Sequence, residues 1–99
     1  MLNINKTADG GKVTVAVSGR LDTTTAPELE EAIKDSLEGT TALTLDFDGL
    51  EYISSAGLRV LLTTQKAMNK QGEMEIAHVC ETIKEIFEVT GFSDILTIR

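Results

Sequence analysis

This sequence predicts an α/β fold built on one mixed sheet, and three observations lead there. Segments of alternating apolar residues take turns with segments whose apolar residues recur every three to four positions, in the order β-β-α-β-α-β-α. The first two strand-like segments flank a glycine turn, which makes an antiparallel hairpin. The later strands are separated by helices, which implies parallel pairing through right-handed crossovers. The expected sheet has four to five strands packed by three main helices, in a single domain over residues 1–99.

Each element has its own signal. Leu2 and Ile4 alternate with Asn3 and Asn5, a short first strand, and Asp9-Gly10-Gly11 turns the chain. Val13, Val15 and Val17 alternate with Thr14, Ala16 and Ser18, a β-branched run that is the clearest strand in the chain. Thr25-Ala26-Pro27-Glu28 opens a helix: Thr25 can cap it, Pro27 sits where no amide partner is needed, and Glu28 can reach back to the cap. Ala26, Leu29, Ala32, Ile33 and Leu37 form its apolar stripe, and Gly39 closes it. Leu43, Leu45 and Phe47 make a third strand, ended by a turn at Asp48-Gly49, with Leu50, Tyr52 and Ile53 in a short connection. From Ser55 to about Lys70 the period is helical again, with Leu58, Leu61, Leu62 and Met68 on one face. Met74 and Ile76 mark a fourth strand. A third helix runs from roughly Glu81 to a stop at Gly91, followed by a turn at Ser93–Leu96 and an extended end.

Composition narrows the function. Nine basic against sixteen acidic residues give a net charge of −7, a surface that repels phosphate backbones and anionic lipid heads. Neither direct nucleic-acid binding nor membrane insertion is expected. The single cysteine, Cys80, can form no intramolecular disulfide, and the N-terminus lacks the apolar run of a signal peptide. A cytoplasmic location is expected.

Catalytic constellations are scarce. His78 and Cys80 lie two residues apart, so on a strand both would face one side. No third group completes a catalytic set, and the pair reads instead as a rim histidine beside a small buried thiol. One His and one Cys leave no paired-ligand spacing for a metal. Phosphate-cradling glycine loops and the G-x-S-x-G elbow are absent. No enzyme activity, metal or cofactor is expected.

The unusual segment is Ser54-Ser55-Ala56-Gly57, at the start of the second long helix. Helix N-termini carry free amides and about half a positive charge, so a serine there is first a cap. Gly57 costs about 1 kcal/mol of helix propensity relative to alanine. Its missing side chain suggests close approach by a phosphoryl group or a partner backbone.

Tyr52-Ile53-Ser54-Ser55-Ala56-Gly57-Leu58-Arg59-Val60-Leu61 resembles the phosphorylation segment of anti-sigma factor antagonists of the STAS domain family. Gly19-Arg20-Leu21-Asp22 is similar to that family's Gly-Glu-Leu-Asp after the second strand, and Ile83–Phe92 looks like its closing helix. The resemblance covers nearly the whole chain and implies a STAS-like fold. Aligning Gly57-Leu58 on the family's Gly-Leu puts Ser55 on the phosphoacceptor, Ser54 on the preceding Asp, Ala56 on a second hydroxyl residue and Arg59 on a second glycine. Ser54 is thereby a secondary candidate acceptor.

What the resemblance implies is a partner-switching cycle. The unmodified protein binds a serine kinase that is also an anti-sigma factor and so frees a sigma factor. Phosphorylation ends the binding, and a serine phosphatase restores it. The partner surface is expected around Asp22, Thr23, Thr24, Ser54, Ala56, Gly57 and Arg59. Asp22 can meet a basic group on the kinase, or serve only its own turn. Arg59, Thr63, Lys66 and Lys70 form a stripe along the helix that solvation alone explains. The alternative is a STAS scaffold subunit, never phosphorylated, docked in a larger complex such as a lipid-transport ATPase assembly.

Overall fold

The structure is a computed structural model that describes residues 2–99. Strands β1 (Leu2–Asp9) and β2 (Lys12–Leu21) pair antiparallel, from Leu2 opposite Gly19 to Asp9 opposite Lys12. Strand β3 (Ala42–Ile53) lies parallel to β2, and β4 (Glu73–Ala77) lies parallel to β3, giving the sheet order β1-β2-β3-β4. Helix α1 (Ala26–Leu37) connects β2 to β3, α2 (Ser55–Met68) connects β3 to β4, and α3 (Glu81–Thr90) follows β4. A 3-10 turn, Phe92–Asp94, leads into the last residues. There Ile98 bridges Ile76 in parallel, with the Ile76 amide 2.8 Å from the Thr97 carbonyl. The possible fifth strand is thus reduced to one bridge.

Alternation in the strands sets the layers. Val13, Val15 and Val17 of β2, Leu43, Leu45 and Phe47 of β3, and Met74 and Ile76 of β4 are buried. Leu29 and Ile33 of α1, Leu58, Leu61 and Met68 of α2, and Ile83 and Phe87 of α3 complete that core. Thr14, Ala16, Ser18, Thr44 and Asp46, on the alternate positions, are only half-buried. The helices therefore cover one face of the sheet and leave the other polar and open.

The third strand departs from the sequence reading. It continues through Asp48-Gly49 to Ile53 instead of turning. Two register shifts accommodate this: Ala16 faces Asp46 but Ser18 faces Gly49, and Gly19 faces Leu50 but Arg20 faces Tyr52. Each adds one extra residue to β3, a bulge. Glycine at 49 serves close strand packing, because a Cβ there would stand 2.6 Å from Ser18 Cβ.

The start of α1 also differs. Thr25 makes no side-chain capping bond to the helix. Its hydroxyl donates to the Arg20 carbonyl at 2.8 Å and accepts the Asp22 amide at 2.8 Å. Asp22 takes over at the helix entry, with Oδ1 accepting the amides of Thr24 at 3.0 Å and Thr25 at 3.1 Å. The Thr25 hydroxyl is engaged at the strand exit, and the Glu28 amide that it would cap goes to the Thr25 carbonyl at 2.9 Å.

Candidate functional site

The site begins where two parallel strands end side by side. Leu21 closes β2 and Ile53 closes β3, opposite one another and both buried. The Ser54 amide donates to the Leu21 carbonyl at 2.8 Å, so the ladder runs one step past the strands. Asp22 and Ser54 consequently leave from adjacent points on one rim. Chain ends of this kind gather ligands and partners in parallel α/β sheets.

Ser54 caps α2. Its hydroxyl accepts the Gly57 amide at 3.4 Å and its carbonyl accepts the Leu58 amide at 3.0 Å. Ser55 is the first residue inside the helix and is exposed. Its hydroxyl has no hydrogen-bond partner among the described residues. The two adjacent serines are therefore unequal: one hydroxyl is held by its own helix, the other faces solvent over the positive end of the helix dipole.

The other rim residues divide into two groups. Thr23 and Thr24 are exposed, and so is Arg59, one turn along α2 from Ser55. Thr63, Lys66 and Lys70 continue an exposed stripe on that helix. Ala56 is half-buried and packs against the core, and Gly57 is buried. The close approach anticipated at Gly57 comes from inside the protein. A Cβ there would stand 2.7 Å from Leu21 Cγ and 2.8 Å from Ile53 Cγ1. Gly57 lets α2 sit down on the strand ends and so sets the height of Ser55.

Asp22 is engaged by its own turn. Besides the two amides, its Oδ1 accepts the Thr24 hydroxyl at 2.7 Å. That hydroxyl foremost, with the Thr25 and Thr24 amides, holds the carboxyl below the usual carboxylate range. The turn-stabilising role of Asp22 is realised through Oδ1.

One feature of the rim has no sequence signal. The Arg20 guanidinium lies 4.3 Å from the centroid of the Tyr52 ring. Both residues are exposed and stand opposite each other only because of the second β3 bulge. A bulge depends on cross-strand fit, which a single chain's periodicity does not display.

His78 and Cys80 are not on a common strand. β4 stops at Ala77, and His78 adopts a left-handed backbone with φ of 58°. Its Nδ1 lies 2.9 Å from Asp46 Oδ1. Hydrogen bonding to His78 is the main cause that lowers the Asp46 carboxyl from its ordinary value. The Cys80 thiol instead lies 3.8 Å from the Leu50 carbonyl, at the start of α3. The pair that the spacing brings together is separated by the turn between them.

The STAS domain family model matches residues 3–99. The chain belongs to the STAS domain family. This STAS domain is 34% identical over 100 residues to the anti-sigma-B factor antagonist of Staphylococcus aureus, covering 99% of this chain and 93% of that protein. The crystal structure of an anti-sigma factor antagonist from Mycobacterium paratuberculosis superposes with a TM-score of 0.90 at 25% identity, covering 99% of this chain and 85% of that one. SpoIIAA of Bacillus, a cell fate determinant solved in its phosphorylated form, has the same fold with a TM-score of 0.76 at 15% identity, covering 100% of this chain and 91% of that one. The expected element order and mixed sheet are those of the family. Among the described residues no helix is long and apolar enough to cross a membrane.

Proposed function

We propose that this STAS domain is an anti-sigma factor antagonist whose binding surface is the rim bearing Ser55, and that phosphorylation of Ser55 by an anti-sigma serine kinase switches the binding off. The observation that carries the reading is the exposed Ser55 hydroxyl, free of protein partners at the first turn of α2. Curated relatives named as anti-sigma factor antagonists support the partner class. A phosphorylated form of SpoIIAA, a protein of the same fold, supports the modification.

The physics of the switch is local. A phosphoserine adds about −1.5 to −2 charges at neutral pH. The helix N-terminus accommodates that charge, so the fold need not change. The cost falls on the interface, where the partner meets a bulkier dianion in place of a hydroxyl. A loss of about 3 kcal/mol there weakens binding more than a hundredfold. A serine phosphatase resets the cycle.

The test is incubation with ATP and each anti-sigma serine kinase of the same genome, read by mass and by co-elution. One phosphate should add to the wild type and none to Ser55→Ala. A complex should form before modification and dissolve after it. Absence of both binding and modification with every such kinase defeats the reading and leaves the scaffold role.

A further inference from the structure

The rim contains a free cation where the chain as a whole is acidic. Arg20 makes no ion pair among the described residues, whose ion pairs are His78–Asp46 and Arg99–Glu75. The second β3 bulge is the cause. Gly19 faces Leu50, and an unbroken ladder would next set Arg20 opposite Glu51, whose carboxylate would neutralise it. The bulge skips Glu51 and presents Tyr52, so the guanidinium rests on an aromatic face 4.3 Å below and keeps its charge unpaired. Tyr52 limits the arginine's freedom while leaving its planar donors available outward.

Place and charge together identify what this serves. Tyr52 and Ser55 are three positions apart in the chain, a span of at most about 11 Å. A standard interface buries about 800 Å² on each partner and so covers both. Asp22, the nearby anion, keeps its charge while its Oδ1 accepts from Thr24 and Thr25. Arg59, on the other side of Ser55, is likewise exposed and without an ion pair among the described residues. Arg20 and Arg59 are thus cations without an ion pair near the hydroxyl, beside the anionic Asp22 and the exposed Glu51, on a chain of net charge −7.

We infer that Arg20, held on Tyr52, is a specificity-determining contact that selects a partner presenting a carboxylate at this rim. The inference rests on the reading of the rim as the antagonist's binding surface. It also sharpens the switch: a partner face chosen for acidity is the one that a phosphoserine dianion repels most.

The experiment titrates the anti-sigma kinase that modifies Ser55 with five forms of the chain: wild type, Arg20→Gln, Arg20→Glu, Tyr52→Leu and Ser55→Asp. Binding is measured at low and at physiological salt, and thermal melts verify the fold. Arg20→Glu should weaken binding by about tenfold or more at low salt, mainly through a slower on-rate, and the difference should shrink as salt screens it. Arg20→Gln should lose less, and Tyr52→Leu should lose a few-fold with the charge intact. If folded Arg20→Glu and Arg20→Gln bind like the wild type while Ser55→Asp does not bind, the contact is refuted and the switch stands. If Ser55→Asp binds as tightly as the wild type, the switch itself fails.

Discussion

The backbone amide of Ser54 donates to the carbonyl of Leu21 across 2.8 Å, joining the exit of β2 to the entry of α2. This bond places the serine pair over the strand ends. With Ser54 as the cap, Ser55 falls at the first helical position and its side chain points away from the core.

Ser55→Asp and Ser55→Ala should separate folding from binding. An aspartate in the first turn meets the positive end of the dipole and should hold or raise stability by about 0.3–1 kcal/mol at low ionic strength. Thermal denaturation should therefore show both variants folded, with the aspartate the more stable. Binding to the anti-sigma kinase should survive in Ser55→Ala and be lost in Ser55→Asp. An unfolded Ser55→Asp would contradict the exposed position of the side chain.

Thr25→Val tests the strand-to-helix turn. Valine matches threonine in shape but can neither donate to the Arg20 carbonyl nor accept the Asp22 amide. Thr25 is 8% exposed, so those backbone groups have little access to water. The expected cost is about 1–3 kcal/mol, the penalty of unpaired buried polar groups. Thr25→Ser keeps the hydroxyl and should lose less than half as much by urea denaturation. Equal losses in both would mean that the methyl group, not the hydroxyl, matters.

These residues also mark what was legible in the sequence. β2 declared itself through Val13, Val15 and Val17, because alternation at a half-buried surface is a property of one strand alone. Ser54 as the α2 cap was legible for the same reason: a helix start is written within a few consecutive residues. The bulges of β3 were not, since whether Asp48-Gly49 turns or bulges depends on Ser18 across the ladder. Nor was the Arg20–Tyr52 stack, which exists only in the shifted register. Thr25 fits a capping motif, yet its hydroxyl is taken by the Arg20 carbonyl and the Asp22 amide from outside that motif.

Acid should loosen the molecule through two named carboxylates. Asp22 and Asp46 both titrate below their ordinary values in the folded chain, the first through the Thr24 hydroxyl and the second through His78. A folded value lying below the unfolded one, about 3.9 for aspartate, stabilises above that pH. The contribution is lost as pH falls through the folded values. Urea midpoints should hardly change from pH 7 to 5 on this account and should fall from about pH 4 downward. Asp22→Asn with Asp46→Asn should be less stable than the wild type at pH 7 and approach it at pH 3. A constant gap between the two proteins across that range would remove these carboxylates from the acid response.

Gly57→Ala sets two effects against each other, and packing decides the outcome. Alanine in a helix is favoured over glycine by about 1 kcal/mol. The added Cβ, however, would stand 2.7 Å from Leu21 Cγ and 2.8 Å from Ile53 Cγ1, well inside contact distance. Neither neighbour yields easily, because Leu21 is fully buried and Ile53 nearly so, and the atoms met lie near the chain rather than at its flexible tip. Overpacking of this kind costs about 1–3 kcal/mol. A net loss of about 1–2 kcal/mol is expected by urea denaturation, with α2 displaced outward and Ser55 with it. Binding to the kinase should fall further than stability alone requires, since the hydroxyl no longer sits at its native height on the rim. A variant as stable as the wild type would show that α2 is not seated on Leu21 and Ile53 at all.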